Sequence, residues 1–423
     1  MTLIATDSGM QLEADPARVV AKLFLPGESI APVQIRAEAV YERVLALDDA
    51  TAAATAKSIL DTFSPRHDDL PGILADHAKA GLARVGGTMD DQSPHFTVLG
   101  GTFTAEYAVE GAALCNPSPV LHPDQTGLKP GEARIALAVR EIGEGHVSTL
   151  GFACATVGAG GWAFEERALP LRAPVVKRAN DSWSNYEIVF AEDSSLSQRV
   201  AMPVIDSERN GIEDARFVRF TGADGHTDYR ATYTAYDGTG VLPRLFVSED
   251  LVSFSSHPLT GAAATNKGVA LFPRPVGGEI LALVRSDGES NFVARSPDGL
   301  AWGHGAIIRT PEMPWEIVTT GNCGSPIETS EGWLVMTHGV GAMRVYSMGA
   351  MLLDLDDPTK VIGLLREPLL RSDGTKQNGY VPNVVYSCGS IVHEGTVWIP
   401  YGVGDNRIRV ASVGLDELLA AMR

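Results

Sequence analysis

The stretch Gly211-Ile212-Glu213-Asp214-Ala215-Arg216 sets two carboxylates and a guanidinium side by side, just before the run Phe217-Val218-Arg219-Phe220. In extended backbone, neighbouring side chains point to opposite faces, so Glu213 and Asp214 would meet different surroundings. A carboxyl set against apolar surface keeps its proton toward neutral pH and can act as a general acid. The same six residues also read as an Asx-type turn ahead of a strand, with Arg216 as a surface partner. The choice between the two depends on what the rest of the chain brings to them.

Forty-four glycines and 25 prolines in 423 residues fit many short strands joined by turns. From about residue 95 strand signals dominate, and a repeat emerges. Residues 246–254 resemble residues 293–302: Ser248 corresponds to Ser296 and Asp250 to Asp298, and an aromatic closes each unit. Weaker copies lie at 351–357 and 410–416, and second strands precede the four copies at 231–236, 280–285, 333–338 and 397–401. A period of about 50 residues is that of a four-stranded propeller blade, and roughly 320 residues allow five or six blades. Before this region the period differs. A strand is expected at 19–25. Apolar residues then recur at three and four (Val40, Val44, Leu45; Ile59, Leu60, Phe63), which predicts two or three helices between about 35 and 84. Arg66-His67-Asp68-Asp69, at a break between them, reads as a helix-end charge cluster. The expected architecture is an all-β propeller over 95–423 with an N-terminal strand and helical annex over 1–94. Such an annex must bury its apolar face, on the propeller rim or on another subunit, and residues 37–86 are expected to mediate self-association into a homo-oligomer.

A net charge of −18 argues against a nucleic-acid or anionic-membrane partner. It leaves room for a small anion held by a few local cations. Cys115, Cys154, Cys323 and Cys388 are far apart and form no CxxC pair, so neither a zinc site nor a disulfide scaffold is expected, and no metal site is assigned. With no basic leader and no apolar run of roughly 20 residues, a cytoplasmic location is expected.

In a propeller, polar residues at matching blade positions converge on one central channel. Here the second strands end in Tyr236-Asp237, Arg285, His338 and, just past the last, Asp405. A pocket of mixed charge with aromatics suits a small polyhydroxylated ligand and an anionic partner.

Several stretches carry a specific resemblance: Gly211–Arg216, Tyr233–Asp237, Pro243-Arg244-Leu245, Asn266–Pro273 and Thr337–Val340. The longest are Gly349–Gly363 and Gly379–Gly389. Together they resemble glycoside hydrolase family 130, the mannoside phosphorylases and related β-mannosidases. The resemblance implies a five-bladed propeller. It also implies that Asp214 is the general acid, passing its proton to the glycosidic oxygen through the sugar's own 3-hydroxyl. Asn116 and Arg134 match positions that hold the transferred mannose, and Asp405 matches a sugar-site aspartate. Tyr236 and Asp237 join them as substrate-binding candidates; Arg244, Lys267, Arg285 and His338 are the candidates for phosphate. Ala215 stands where the family usually has proline. Asp237-Gly238 stands where some phosphorylases have Arg-Asn.

The chemistry separates the alternatives. An inverting hydrolase needs a second carboxylate roughly 6.5–9.5 Å from the first to activate water; Glu213, Asp237 or Glu289 would have to supply it. A phosphorylase needs none, because phosphate is already a nucleophile and requires cations to hold it in line. The expected activity is inverting phosphorolysis of manno-oligosaccharides to mannose 1-phosphate, with inorganic phosphate as co-substrate and no cofactor. An inverting β-mannosidase and a carbohydrate-binding propeller without catalysis are the alternatives.

Overall fold

The computed structural model describes residues 3–26, 33–178, 184–372 and 379–423. It divides into two compact units. The helical unit comprises Pro16–Val109 and Ala168–Arg172. Its helices are α1 (Val33–Leu45), α2 (Asp49–Phe63), α3 (Leu70–Val85) and α4 (Pro94–Thr102). Asp48, Asp69 and Ser93 cap α2, α3 and α4 by accepting from the amides of Thr51, Gly72 and Phe96, which satisfies donors that a helix start leaves open. The cluster at 66–69 is thus a helix end, as expected: Asp69 is the cap, and Arg66 and His67 both pair with Glu106. Val44, Ala56, Ala78, Leu82, Phe96, Leu99 and Phe103 form one core, so the helices bury their apolar faces among themselves. Gly100 makes this packing possible, since a Cβ there would lie 2.2 Å from the carbonyl oxygen of Leu74. Strand Val19–Leu23 pairs with Thr104–Ala108. The expected boundary at 94/95 therefore moves to 109/110, because Ser93-Pro94 opens a helix where strands were expected.

Residues 1–15 belong instead to the β unit, with Glu110–Arg167 and Ala173–Arg423. Strand Thr6–Glu13, which is mostly exposed and carries little apolar pattern, pairs with Arg407–Gly414, the last strand of the chain. Strand Thr396–Val403 lies on the other side of Arg407–Gly414. Mostly antiparallel ladders fill the rest. One sheet joins the ladder Ala113–Leu121, Ala133–Ile142, Ser148–Gly158 to the ladder Gly211–Thr221, Thr227–Tyr236, Val241–Ser248, Ser253–Pro258. The joint is a single parallel pair, Gly211 with Ser148. Two more sheets are built around Ile280–Val284 with Asn291–Ser296, and around Gly332–Val340 with Tyr346–Leu353.

The repeat has a physical basis. Asp250 accepts from the amides of Val252 and Ser253 while Ser248 accepts from Leu251. Asp298 and Ser296 brace Leu300, Ala301 and Gly299 in the same way. Phe254 and Trp302, the aromatics that follow, are buried. Each of these two copies is a turn held by its own side chains that plants an aromatic in the core.

Candidate active site

A cavity of about 230 Å³ opens where the ends of these ladders meet in the β unit. Five cationic side chains line it (Arg140, Arg216, Lys267, Arg285, Arg344), with Asp214, Asp405, Asn116, His338, Tyr346, Val384 and Tyr386. Backbone irregularity aims several of them. The ladder register breaks between Glu213 and Arg216 and between Cys115 and Ser118. Within these breaks Asp214 and Asn116 take φ of 54° and 50°; Arg344 and Asp405, at 55° and 47°, are left-handed too. Bulges of this kind re-aim side chains, and left-handed non-glycine residues cluster where surroundings impose them.

The bulge overturns the expectation that Glu213 and Asp214 face opposite ways. Arg140 bonds both, through Nη2 to Glu213 at 2.5 Å and through Nη1 to Asp214 at 3.1 Å. Glu213 also holds Lys267 at 2.5 Å, and the Asn116 amide donates to Asp214 at 2.5 Å. Arg216 is no surface partner: it is buried, and it donates to the Asp214 carbonyl at 3.0 Å and the Tyr386 hydroxyl at 2.9 Å. Burial alone would raise the Asp214 pKa, but Arg140, Lys267, Arg216 and the Asn116 bond outweigh it and hold the carboxyl well below its usual range. With these partners Asp214 is ionised, not protonated as a carboxyl on apolar surface would be. Asp405 behaves oppositely: burial, helped by the Asp214 charge and opposed by Arg140 and Arg344, raises it to about 6. Burial with Arg285 and Arg216 keeps His338 neutral. Oδ1 of Asn116 is buried without a hydrogen-bond partner among the described residues, and it lines the cavity.

Asp214, Asn116, Asp405, Lys267, Arg285 and His338 are therefore brought together as expected. Four other candidates are not. Arg134 lies on the same strand as Arg140 but six residues away, about 20 Å, and pairs with Glu165 at 3.1 Å and Asp124 at 3.5 Å. Arg244 is buried against the Tyr233 hydroxyl and Ser256, both at 3.0 Å, and the Ser184 carbonyl at 2.7 Å. Asp237 braces its own turn, accepting from the amides of Thr239 and Gly240, which holds it down to about 2. Tyr236 donates to the Gly238 carbonyl and meets the site only as a ring 5.7 Å from the Lys267 ammonium. The alternative bases fare no better: Glu213 is held between two cations, and Glu289 is exposed on a turn. Arg140, Arg344, Tyr346 and Tyr386 were missed. Arg140 sits near the end of a second strand, where Arg285 and His338 sit in theirs, but its ladder precedes the first visible copy of the repeat. Away from the cavity, His226, Asp228 and Glu249 bring three ligand-type atoms within 4.8 Å, yet Asp228 is held by Arg230 and His226 by Glu249.

The sequence pattern of glycoside hydrolase family 130, described as beta-1,4-mannooligosaccharide phosphorylase, matches residues 192–423. A 1,2-beta-oligomannan phosphorylase from Thermoanaerobacter sp. (strain X514) is 32% identical over 239 residues, covering 54% of this chain and 78% of that protein. A beta-1,2-mannobiose phosphorylase from the same organism is 33% identical over 243 residues, covering 56% and 78%. Among solved structures, a glycosyl hydrolase from Bacteroides ovatus superposes with a TM-score of 0.52 at 19% identity, over 74% of this chain and 87% of that one, a likeness of fold. With more than half of its length matched, and Asp214, Lys267, Arg285, His338 and Asp405 all inside the matched part, the chain belongs to glycoside hydrolase family 130.

Proposed function

We propose that this protein cleaves β-mannosides with inorganic phosphate, inverting the anomeric centre and releasing mannose 1-phosphate. One observation carries the reading: five cations gathered around one ionised aspartate in a protein of net charge −18. A nucleophile that is itself an anion needs such a cluster, whereas a water nucleophile needs a spare base. Lys267, Arg285 and Arg216, with His338 as a neutral hydrogen-bonding group, are assigned to phosphate. Asn116, Arg140 and Asp405 are assigned to the mannosyl group.

Asp214 must hold a proton to act as the acid. A phosphate dianion placed among the same cations offsets their field and lifts the Asp214 pKa, so nucleophile and acid become ready together. Phosphate oxygen then bonds to the anomeric carbon as the glycosidic bond breaks, and the leaving sugar takes the proton. The same reading treats the ladders as five propeller blades, with Thr6–Glu13 completing the last.

β-1,2- and β-1,4-mannobiose assayed with and without phosphate test it. Turnover that requires phosphate supports the proposal. A rate independent of phosphate makes the protein a mannosidase, and binding without turnover makes it a lectin-like propeller.

A further inference from the structure

Two turns beside the cavity are built alike. Gly143-Glu144-Gly145-His146 has left-handed φ at Gly145 and His146, 69° and 61°. Gly341-Ala342-Met343-Arg344 has it at Met343 and Arg344, 59° and 55°. The second turn sends Arg344 into the cavity while Met343 at its tip is 86% exposed, so this is the solvent end of the site. The first turn sends His146 to Tyr380 instead. Its Nδ1 lies 2.9 Å from the Tyr380 hydroxyl, and the ring centroids are 5.5 Å apart at 36°.

The backbone on both sides of Tyr380 is tied to residues beside the cavity. The Val381 amide donates to the Gly404 carbonyl at 2.8 Å, and Gly379 packs so closely on Gly404 that an added Cβ would lie 2.6 Å from that oxygen. Asp405, the next residue, lines the cavity, as does Val384. At 46% exposed, Tyr380 leaves much of its surface open to a ligand. The cavity is also small. Its 230 Å³ falls short of the roughly 300–1,000 Å³ that encloses a drug-sized ligand. A disaccharide together with phosphate must extend past the lining onto the rim. A pyranose offers a face of C–H groups beside its hydroxyls, which a ring with a polar tip matches.

We propose that Tyr380, held in place by His146, forms the wall of the subsite that receives the leaving sugar, and the acceptor sugar in the reverse reaction. This rests on the phosphorolysis reading above. The test runs the reverse reaction with mannose 1-phosphate as donor and mannose or β-1,2-mannobiose as acceptor. Tyr380→Ala should raise the acceptor KM about 3- to 10-fold, as loss of an aromatic contact does, with the donor KM within about twofold. Tyr380→Phe keeps the ring but loses the bond to His146, and should raise the acceptor KM by less than Tyr380→Ala does. An acceptor KM unmoved by Tyr380→Ala, or donor and acceptor KM rising together, would overturn the assignment. A wild-type protein without phosphate-dependent turnover would instead overturn the phosphorolysis reading, and this inference with it.

Discussion

Replacing Lys267 by alanine tests the phosphate assignment most directly. Its ammonium lies 2.5 Å from Glu213, and its side chain is 38% exposed. Losing one charge-assisted hydrogen bond is worth about 1.5–3 kcal/mol, which is roughly 10- to 150-fold in affinity. Two features place the expected value within that range. Partial exposure screens the charge and draws it toward the low end. Glu213, deprived of one of two cations, would repel a dianion and draw it upward. That second effect is limited, because Arg140 still holds Glu213 at 2.5 Å. The phosphate KM should therefore rise about 10- to 30-fold, while the mannoside KM stays within about twofold. Initial rates of mannose 1-phosphate release, with phosphate varied at saturating mannobiose and then the reverse, give both constants. Lys267→Arg, which keeps the charge, should recover part of the loss. An unchanged phosphate KM would make Lys267 a solvated loop residue. An equal rise in both constants would make it structural, and either result would sink the assignment.

Asp214→Asn should lower turnover about 10²- to 10⁴-fold, the usual loss for a general acid, with mannoside binding retained in calorimetry; a variant keeping more than about a tenth of the activity would refute the role. Arg134→Ala should leave both Michaelis constants close to wild type, since its partners are Glu165 and Asp124; a selective loss of sugar affinity would return Arg134 to the site. Asp405 is raised from 3.8 to about 6, so its protonated form is favoured on folding; its contribution to stability is full below 3.8 and is lost as pH rises through 6. Asp405→Asn should therefore stabilise the protein by up to about 3 kcal/mol at about pH 8 and hardly at all at about pH 4, and thermal melts showing no such pH dependence would contradict it. Self-association through residues 37–86 remains our proposal: Leu45, exposed at 48% on α1, changed to Glu should lower the mass seen by light scattering, and an unchanged mass would remove it.

What the sequence made legible, and what it hid, divides along physical lines. The repeat was visible because Ser248 and Asp250 brace the same turn in one copy that Ser296 and Asp298 brace in another. The convergence of Arg285, His338 and Asp405 followed from counting to the ends of the second strands. Strand Thr6–Glu13 was hidden because an edge strand exposed on both faces needs no apolar alternation. Arg134 was preferred to Arg140 because resemblance supplied a residue type on the right strand, but only register tells which end of that strand reaches the cavity. Arg244 looked like a free cation, yet the hydroxyls of Tyr233 and Ser256 enclose it, and no local pattern announces such long-range partners. The pairing of Glu213 with Asp214 failed for the sharpest reason. A period of two holds only while the strand is regular, and one inserted residue turns a neighbour to the same side. That insertion lets Arg140 hold both carboxylates, sets the charge on Asp214, and leaves Glu213 to anchor Lys267. The backbone departs from its rule where the chemistry requires two adjacent acids to share one cation.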